Sequence, residues 1–211
     1  MPAHAHTSNA AIVAAARRLL EEVGLEALTM RDVAQAVGVR TPSLYKRVSG
    51  RSELLELILE DLADELTAVV DAAAGTGDPA AGLRALWHAY RGFAHANPIA
   101  YTLLWAPQAV PGATGRYQRT SVTLLRLVTD LVGPQQALPS ARTIVAWSHG
   151  FITMELAGAF RLGGDVDQAW DFGLDRVLDA IQPAGEARGG AGRHGRAAPS
   201  GRVTDGTGRH R

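Results

Sequence analysis

The chain has 211 residues, 46% of them hydrophobic and 20% charged, so it can bury a substantial core; it is neither an intrinsically disordered protein nor a miniprotein that depends on cross-links. Its 21 basic and 21 acidic residues cancel, so net charge alone does not indicate nucleic-acid binding. The absence of cysteine excludes disulfides, thiolate nucleophiles and cysteine-ligated metal sites.

Neither an export signal nor a membrane-spanning segment is evident in the sequence. The apolar run at 10–16 is short, and its arginines follow it instead of preceding it. The uncharged stretch 92–115 is interrupted by three prolines. We therefore expect a cytoplasmic protein with no contact with a membrane.

Helical periodicity runs through most of the chain, and strand-like alternation is nowhere convincing. Apolar residues at helical spacing predict a first helix that stops at Gly24 and a second that runs from Thr29 to Gly38. A third helix is predicted to begin with Thr41 as its N-cap, and a long fourth helix ends at the break 75–79. Five further helices are predicted at 80–96, 99–105, 115–132, 140–162 and 166–181. The sequence thus predicts an all-α protein of about nine helices.

The composition changes abruptly at the carboxyl end. The segment 183–211 contains eight glycines and no aromatic residue, leucine, isoleucine or methionine. Such a segment cannot bury enough apolar surface to offset its loss of conformational entropy, so we expect a disordered tail. Its arginines could attract DNA nonspecifically, or the tail could be dispensable.

The segment 29–48 has the spacing of a helix-turn-helix. Ala34 provides a small residue where two helices would cross, Gly38 suits the turn, and Leu44 provides an apolar residue on the inner face of the second helix. Residues 29–52 also hold five basic residues against one acidic residue, the charge pattern expected for phosphate contact. The alternative is a solvated, charged helical hairpin in an ordinary bundle.

Residues 12–55 resemble the N-terminal domain of TetR-type transcriptional regulators. The likeness is strongest in the stretch TPSLYKRVSGRSELL at 41–55, where the Leu-Tyr and Leu-Leu pairs match the family pattern. Arg51 stands where the family usually has lysine, and Arg47 and Val48 replace the commoner His-Phe. The resemblance implies a three-helix DNA-binding domain, 7–52, joined to a helical ligand-binding and dimerisation domain, 53–182.

The resemblance and the cationic cluster together predict which residues contact DNA. Those residues are Thr29, Arg31, Arg40, Thr41, Pro42, Ser43, Tyr45, Lys46, Arg47 and Arg51. Three alternatives stay open: Thr41 could serve only as a helix cap, Tyr45 could pack within the domain, and one of the two cations that follow it could be merely solvated.

The C-terminal part bears a second likeness. Trp147-Ser148-His149-Gly150, with 93–98, resembles the C-terminal subgroup named for a Trp-His-Gly motif. Large side chains of this part are either core or the lining of an apolar effector cavity. The candidate lining residues are Trp87, Tyr90, Phe93, Tyr101, Trp105, Tyr117, Trp147, His149, Phe151 and Met154.

The resemblance also implies that the last two helices pair with a second subunit in a four-helix bundle. The candidate interface residues are Phe151, Gly158, Trp170, Leu174, Val177, Leu178 and Ile181. The alternative is purely intramolecular packing of the same apolar stripes.

Neither a catalytic constellation nor a metal site is evident. Ser148 and His149 are adjacent, so on a helix they point about 100° apart and cannot pair as nucleophile and base. His88 and His95 share a helix face but lack a third ligand, and no cofactor is expected. The sequence therefore predicts a homodimeric DNA-binding regulator that recognises a palindromic operator and responds to an unidentified small molecule. The rival is a helical protein that binds a small molecule or a partner without specific operator binding.

Overall fold

The structure, a computed structural model, describes residues 8–105 and 117–182, and within these ranges every regular element is an α-helix, as predicted. The nine helices described are α1 (Asn9–Ala27), α2 (Met30–Ala36), α3 (Thr41–Tyr45), α4 (Arg51–Ala74), α5 (Pro79–Ala96), α6 (Pro98–Leu104), α7 (Tyr117–Val132), α8 (Pro134–Leu156) and α9 (Val166–Ile181). The predicted tail 183–211 lies outside the described residues. None of the helices described combines the length and hydropathy needed to cross a bilayer.

Helices α1 to α3 form a small N-terminal unit. Ile12, Ala16 and Leu20, spaced four residues apart along α1, are buried in its core. At Gly24, the predicted stop, the backbone leaves the helical path with a φ of +83°, and a short further turn continues to Ala27. The range Asn9–Ala27 therefore contains a kink at the predicted position.

Helix α4 joins the two parts of the chain. Its 24 residues span about 36 Å, and its buried face packs against α1 on one side and against α5 and α7 on the other. Because one continuous helix belongs to both parts, the domain boundary at 52/53 stays a prediction.

Helix α8 differs at both ends from the predicted range 140–162. It begins at Pro134, where a missing N–H costs nothing, and it accommodates Pro139 in its second turn. It ends at Leu156 because Gly158 adopts a φ of +63°, and the N–H groups of residues 158 and 159 return to carbonyls of the last turn at 2.9 Å. Gly158, predicted as a helical interface residue, therefore belongs to the helix C-cap.

Candidate nucleic-acid interface and apolar cavity

The crossing of α2 and α3 is built around the three residues that define the motif. Ala34 and Leu44 are buried, and the small side chain of Ala34 lets the helices approach. Gly38 has a φ of +72°, and its N–H donates to the carbonyl of Gln35 at 3.1 Å, while the N–H of Val39 donates to the carbonyl of Ala34 at 2.9 Å. These two bonds end α2 and turn the chain into α3, so the helix-turn-helix prediction is confirmed.

The start of α2 is capped by Thr29. Its Oγ1 accepts the N–H of Asp32 at 3.2 Å and donates to the Asp32 carboxylate at 2.5 Å. The side chain of Thr29 therefore caps the helix, and its predicted contact with DNA stays a prediction. Arg31 is exposed beside it, and no hydrogen bond or ion pair within the described residues engages its guanidinium.

The start of α3 is shifted by one residue from the prediction. Arg40, not Thr41, is the N-cap, and no side-chain hydrogen bond is made there. Thr41 is the first helical residue, with Pro42 beside it, because proline is favoured in the first turn. The hydroxyls of Thr41 and Ser43 therefore do not cap the helix. They lie at the end of α3 that meets base edges in such motifs.

The outer face of α3 and the residues after it are cationic and exposed. Arg40, Lys46 and Arg47 are exposed, and within the described part of the chain none of them has an acidic partner. Tyr45 is 49% exposed, so it is not a packing residue of the small domain. Val48, in contrast, is fully buried and fills the core at the position where the family often has phenylalanine.

Arg51 at the start of α4 donates two hydrogen bonds to backbone carbonyls that the sequence did not predict. One guanidinium N–H donates to the carbonyl of Leu25 at 2.5 Å, and Nε donates to the carbonyl of Leu28 at 3.4 Å. These carbonyls lie between the kink of α1 and the start of α2. Arg51 thus holds the connection between α1 and α2; it is also exposed, and its contact with DNA stays a prediction.

A charged link that sequence reasoning missed joins α1 to the C-terminal part. The guanidinium of Arg17 lies 2.6 Å from a carboxylate oxygen of Asp61 and 2.6 Å from one of Glu65, both on α4. It also donates to the side-chain carbonyl of Asn97, between α5 and α6, at 3.0 Å. One side chain of the N-terminal unit therefore contacts two elements of the C-terminal unit.

Glu21 extends this link. Its carboxylate accepts the N–H of Ile99 at 3.0 Å and the N–H of Ala100 at 2.9 Å, which caps the first turn of α6 from another helix. The helical spacing of Arg17 and Glu21 on one face of α1 is the only sequence signal that could have pointed to this link.

Two adjoining cavities lie in the C-terminal part. The inner cavity, about 100 Å³, lies among α4, α5, α6 and α7, and the outer cavity, about 390 Å³, lies between α7 and α8. The two share Trp105, Ser121, Leu124 and Val145 in their walls. They provide an apolar site of the size that small ligands use.

Four of the ten predicted pocket residues line these cavities: Trp87, Tyr90, Trp105 and His149. Sequence reasoning missed the aliphatic wall and the cation that the described residues place in it, Arg142. Aliphatic residues at helical spacing give no sign of whether they face a core or a cavity, so no signal marked them.

The other predicted pocket residues lie elsewhere. Phe93 is core, Met154 is exposed, and Tyr101 is buried behind His149. Trp147 and Phe151 stack with each other and with Trp170 in a separate aromatic cluster. The side chain at position 117, also predicted here, lies outside the described residues.

Hydrogen-bonded aromatic residues stand behind the cavity wall. The indole N–H of Trp105 donates to the hydroxyl of Tyr90 at 3.0 Å, and the hydroxyl of Tyr101 lies 2.9 Å from Nδ1 of His149. Burial raises the pKa of Tyr101 to about 12, although the polar groups of Tyr90 and Trp105 beside it oppose the rise. Burial lowers the pKa of His149, so its imidazole is neutral at pH 7.

The predicted interface stripe on α9 is mostly internal. Trp170 is 0% exposed, and Leu174 and Leu178 are also buried in the core of the single chain, because they face α5 and α8. Phe151, Val177 and Ile181 are half-buried. The assignment of Trp170, Leu174 and Leu178 to a subunit interface is therefore corrected.

The histidines that the sequence singled out belong to a charged seam between α5 and the last two helices. His95 Nε2 lies 3.0 Å from the Glu155 carboxylate, which also binds Arg91, and His88 Nε2 lies 3.4 Å from Asp171. No group of three or more potential metal ligands occurs among the described residues.

Two family models match the chain. The model described as bacterial regulatory proteins, tetR family, matches residues 12–58, and the model described as tetracyclin repressor-like, C-terminal domain, matches residues 83–177. Together they cover more than half of the chain. Neither description names the Trp-His-Gly subgroup, so that finer resemblance stays a prediction.

Curated relatives are transcriptional regulators by name. An HTH-type transcriptional regulator of Mycobacterium tuberculosis is 35% identical over 124 residues, which are 56% of this chain and 52% of that protein. An uncharacterized HTH-type transcriptional regulator of Bacillus subtilis is 25% identical over 176 residues, 81% of this chain and 90% of that protein. The chain spans about half the length of the mycobacterial relatives it matches.

Solved structures share the fold. A protein of unknown function from Rhodococcus sp. RHA1 has a TM-score of 0.76 at 25% identity, with 87% of this chain and 100% of that chain covered. TetR from Acinetobacter baumannii AYE has a TM-score of 0.62 at 21% identity, covering 82% of this chain and 96% of that one. A variant of the latter was solved in complex with minocycline.

Proposed function

Since this chain belongs to the TetR family of bacterial regulatory proteins, we propose that it is a sequence-specific DNA-binding transcriptional regulator, a repressor that a small molecule releases from its operator. The observation that carries the proposal is the exposed surface around α3. There Arg40, Lys46 and Arg47 surround Tyr45, and no acidic side chain in the described ranges neutralises them. The proposal places the protein in the cytoplasm, where the chromosome lies, and gives it no catalytic role.

The geometry of α3 supports reading of the major groove. Its first residues, Thr41 to Ser43, would meet base edges, while Arg31, Lys46 and Arg47 would bind phosphates on either side. Phosphate contacts fix the register of the helix on the duplex, and base contacts give the sequence preference.

Exposed apolar side chains support assembly into a homodimer. Met154, Phe160, Leu162 and Phe172, all on α8, α9 or the segment between them, make up half of the large hydrophobic residues that are exposed in the described part of the chain. A second copy that covers this face would place two α3 helices on one duplex. Its operator would be roughly palindromic, with half-sites about 34–36 Å apart or a multiple of that distance.

Helix α6 supports a route from the cavity to the DNA-binding unit. Leu104 and Trp105 at its carboxyl end line the inner cavity, and Glu21 of α1 caps its amino end. A ligand that displaces the wall at Leu104 and Trp105 would therefore strain the contact between α6 and α1. The effector can shift the equilibrium only by its difference in affinity for the two conformers.

The experiment that tests the proposal is a gel shift on DNA from immediately upstream of the gene that encodes this chain. We expect a discrete complex that survives excess nonspecific competitor. The double variant Tyr45→Ala with Lys46→Ala should lose it, while Arg126→Ala, an exposed arginine on α7, should keep it. If competitor abolishes every complex, both on this fragment and on operators selected from the whole genome, the proposal is wrong.

The rival without operator binding rested on Arg47 and Val48, the two departures from the family pattern. Val48 is buried and completes the core of the DNA-binding unit, and Arg47 adds a cation to its exposed face. Both positions therefore favour the regulator.

A further inference from the structure

The described polar groups in the cavity walls include two N–H donors without a partner among the described residues, and none of these polar groups is an acid or an amide. Trp87 lines the inner cavity, and its indole N–H is buried without a partner within the described part of the chain. Arg142 lines the outer cavity, and its guanidinium has no ion pair with any described residue. Ser121, which lines both cavities, is already engaged by another group. The described residues of the two walls include no aspartate, glutamate, asparagine or glutamine.

A hydrogen bond behind the wall couples the tautomer of His149 to Tyr101. The hydroxyl of Tyr101 is buried beside Tyr90, Trp105 and His149, and its proton needs an acceptor. Nδ1 of His149, 2.9 Å away, is the acceptor that the proposal below requires. A neutral imidazole that accepts at Nδ1 carries its proton on Nε2. His149 therefore adds one more donor, on the side of the ring that faces away from Tyr101.

Arg142 and His149 lie on one face of α8, seven residues and about 10 Å apart. The long side chain of arginine can cover most of that interval, so both residues can reach one anionic group. Between them the outer wall is formed by Val145 and Ala146. The ring of His149 lies 4.5 Å from that of Trp105, which separates the outer cavity from the inner one.

We propose that the double cavity binds an aromatic carboxylate, with its ring system against Trp105 and its carboxylate held by Arg142 and the Nε2–H of His149. This inference rests on the effector role proposed above and specifies its chemistry. An exposed guanidinium without an ion pair among the described residues and a neighbouring N–H donor favour a carboxylate, because charge-assisted hydrogen bonds are strong. An ammonium group would find no carboxylate among the described residues of these walls and would be repelled by Arg142.

The test is calorimetric titration of the full chain, without DNA, with three naphthalene probes of the same size. We expect 2-naphthoate to bind at least about tenfold more tightly than 2-acetonaphthone, and 2-naphthylmethylamine to bind most weakly. If the amine binds as tightly as the acid, or if none of the three binds, the inference is wrong. If the ketone binds as tightly as the acid, the carboxylate assignment is wrong.

Substitutions test whether Arg142 and His149 hold the carboxylate. Arg142→Gln should weaken 2-naphthoate about tenfold and leave 2-acetonaphthone almost unchanged, whereas Arg126→Gln, outside both cavities, should change neither. Equal losses for acid and ketone would contradict the assigned role of Arg142. Imidazole ¹⁵N shifts provide a readout without ligand: His149 should be the Nε2–H tautomer, and Tyr101→Phe should remove that preference. Finding the Nδ1–H tautomer in the unaltered chain would overturn the proposal.

The two proposals can fail separately. If 2-naphthoate binds as expected but no operator complex forms, the DNA-binding function is wrong and the ligand chemistry stands. If the operator complex forms but the probes bind in another order, the regulator stands and the ligand chemistry is wrong.

Discussion

The carboxylate of Glu21 accepts the backbone N–H of Ala100 across 2.9 Å, so a side chain of the first helix caps the sixth. Helix α6 is seven residues long, and its other end carries Leu104, which lines the inner cavity. A helix this short transmits a displacement at one end to the other, and its cap is one of the points where the two units of the chain meet.

Replacing Glu21 should weaken both the fold and the response to ligand. Glu21→Ala leaves two N–H groups without their acceptor, and we expect the free energy of unfolding to fall by about 1–2 kcal/mol in urea titrations. The loss of operator affinity on adding an effector should also shrink. The control is Glu22→Ala: its exposed carboxylate lies 3.9 Å from Arg18, so we expect a change below about 0.5 kcal/mol. Equal effects at 21 and 22 would contradict the capping role.

The cations after α3 should determine the salt dependence of DNA binding. Lys46→Ala with Arg47→Ala removes two phosphate contacts, and we expect the slope of log affinity against log salt to become shallower by about 2. Operator titrations at several salt concentrations measure this slope. Arg126→Ala with Arg176→Ala removes the same two charges from α7 and α9 and should leave the slope unchanged. An equal effect there would mean that net charge alone matters.

Replacement by alanine should lower the stability of the fold at one glycine and raise it at another. Gly38 has a φ of +72°, so Gly38→Ala should cost about 1–2 kcal/mol and weaken operator binding by distorting the turn. Gly92 lies inside α5 with open space where a Cβ would be, so Gly92→Ala should stabilise by about 0.5–1 kcal/mol. Thermal unfolding of both variants checks the contrast, and stabilisation by Gly38→Ala would contradict the assigned backbone role.

Substitutions at two nearby aromatic residues of α9 should distinguish an effect on folding from an effect on dimerisation. Trp170 is buried, so Trp170→Glu should destabilise the subunit by more than about 4 kcal/mol. Phe172 is 66% exposed, so Phe172→Glu should keep helix content and yield monomers in sedimentation. A Phe172→Glu protein that remains dimeric would move the interface away from this face.

Glu155 should give the fold an acid-sensitive contribution. Burial raises the pKa of this carboxyl, but hydrogen bonds and positive charge from Arg91 and His95 outweigh burial and lower it below 4.5. A carboxylate with a lower pKa in the folded state stabilises the fold above its unfolded pKa, and that stability is lost as pH falls through the folded pKa. Between about pH 5 and 3, unfolding free energy should therefore fall more steeply in the wild type than in Glu155→Gln, by about 1 kcal/mol. If the unfolding free energy falls equally with pH in both proteins, the contacts of Glu155 with Arg91 and His95 contribute nothing to stability.

The sequence was most informative where the controlling interactions are short in range. Ala34, Gly38 and Leu44 lie within eleven residues, and their spacing alone specifies a crossing of two helices and the turn between them. The apolar stripe through Trp170 was equally visible, but the sequence could not show whether the same chain or a second copy covers it. The hydrogen bonds of Arg51 were not predicted for a similar reason, because their acceptors are backbone carbonyls more than twenty residues earlier, which no side-chain pattern marks.

The bonds from Arg51 to Leu25 and Leu28 have a consequence for how the operator is released. They attach the first turn of α4 to the junction of α1 and α2, so the DNA-binding unit formed by α1 to α3 moves with α4 as a rigid body. An effector would then alter the distance between the two DNA-binding units of the dimer along the duplex. Each unit would still be able to bind its own half-site. Affinity for a DNA fragment carrying a single half-site should be the same with and without effector, and only the full operator should discriminate between the two states.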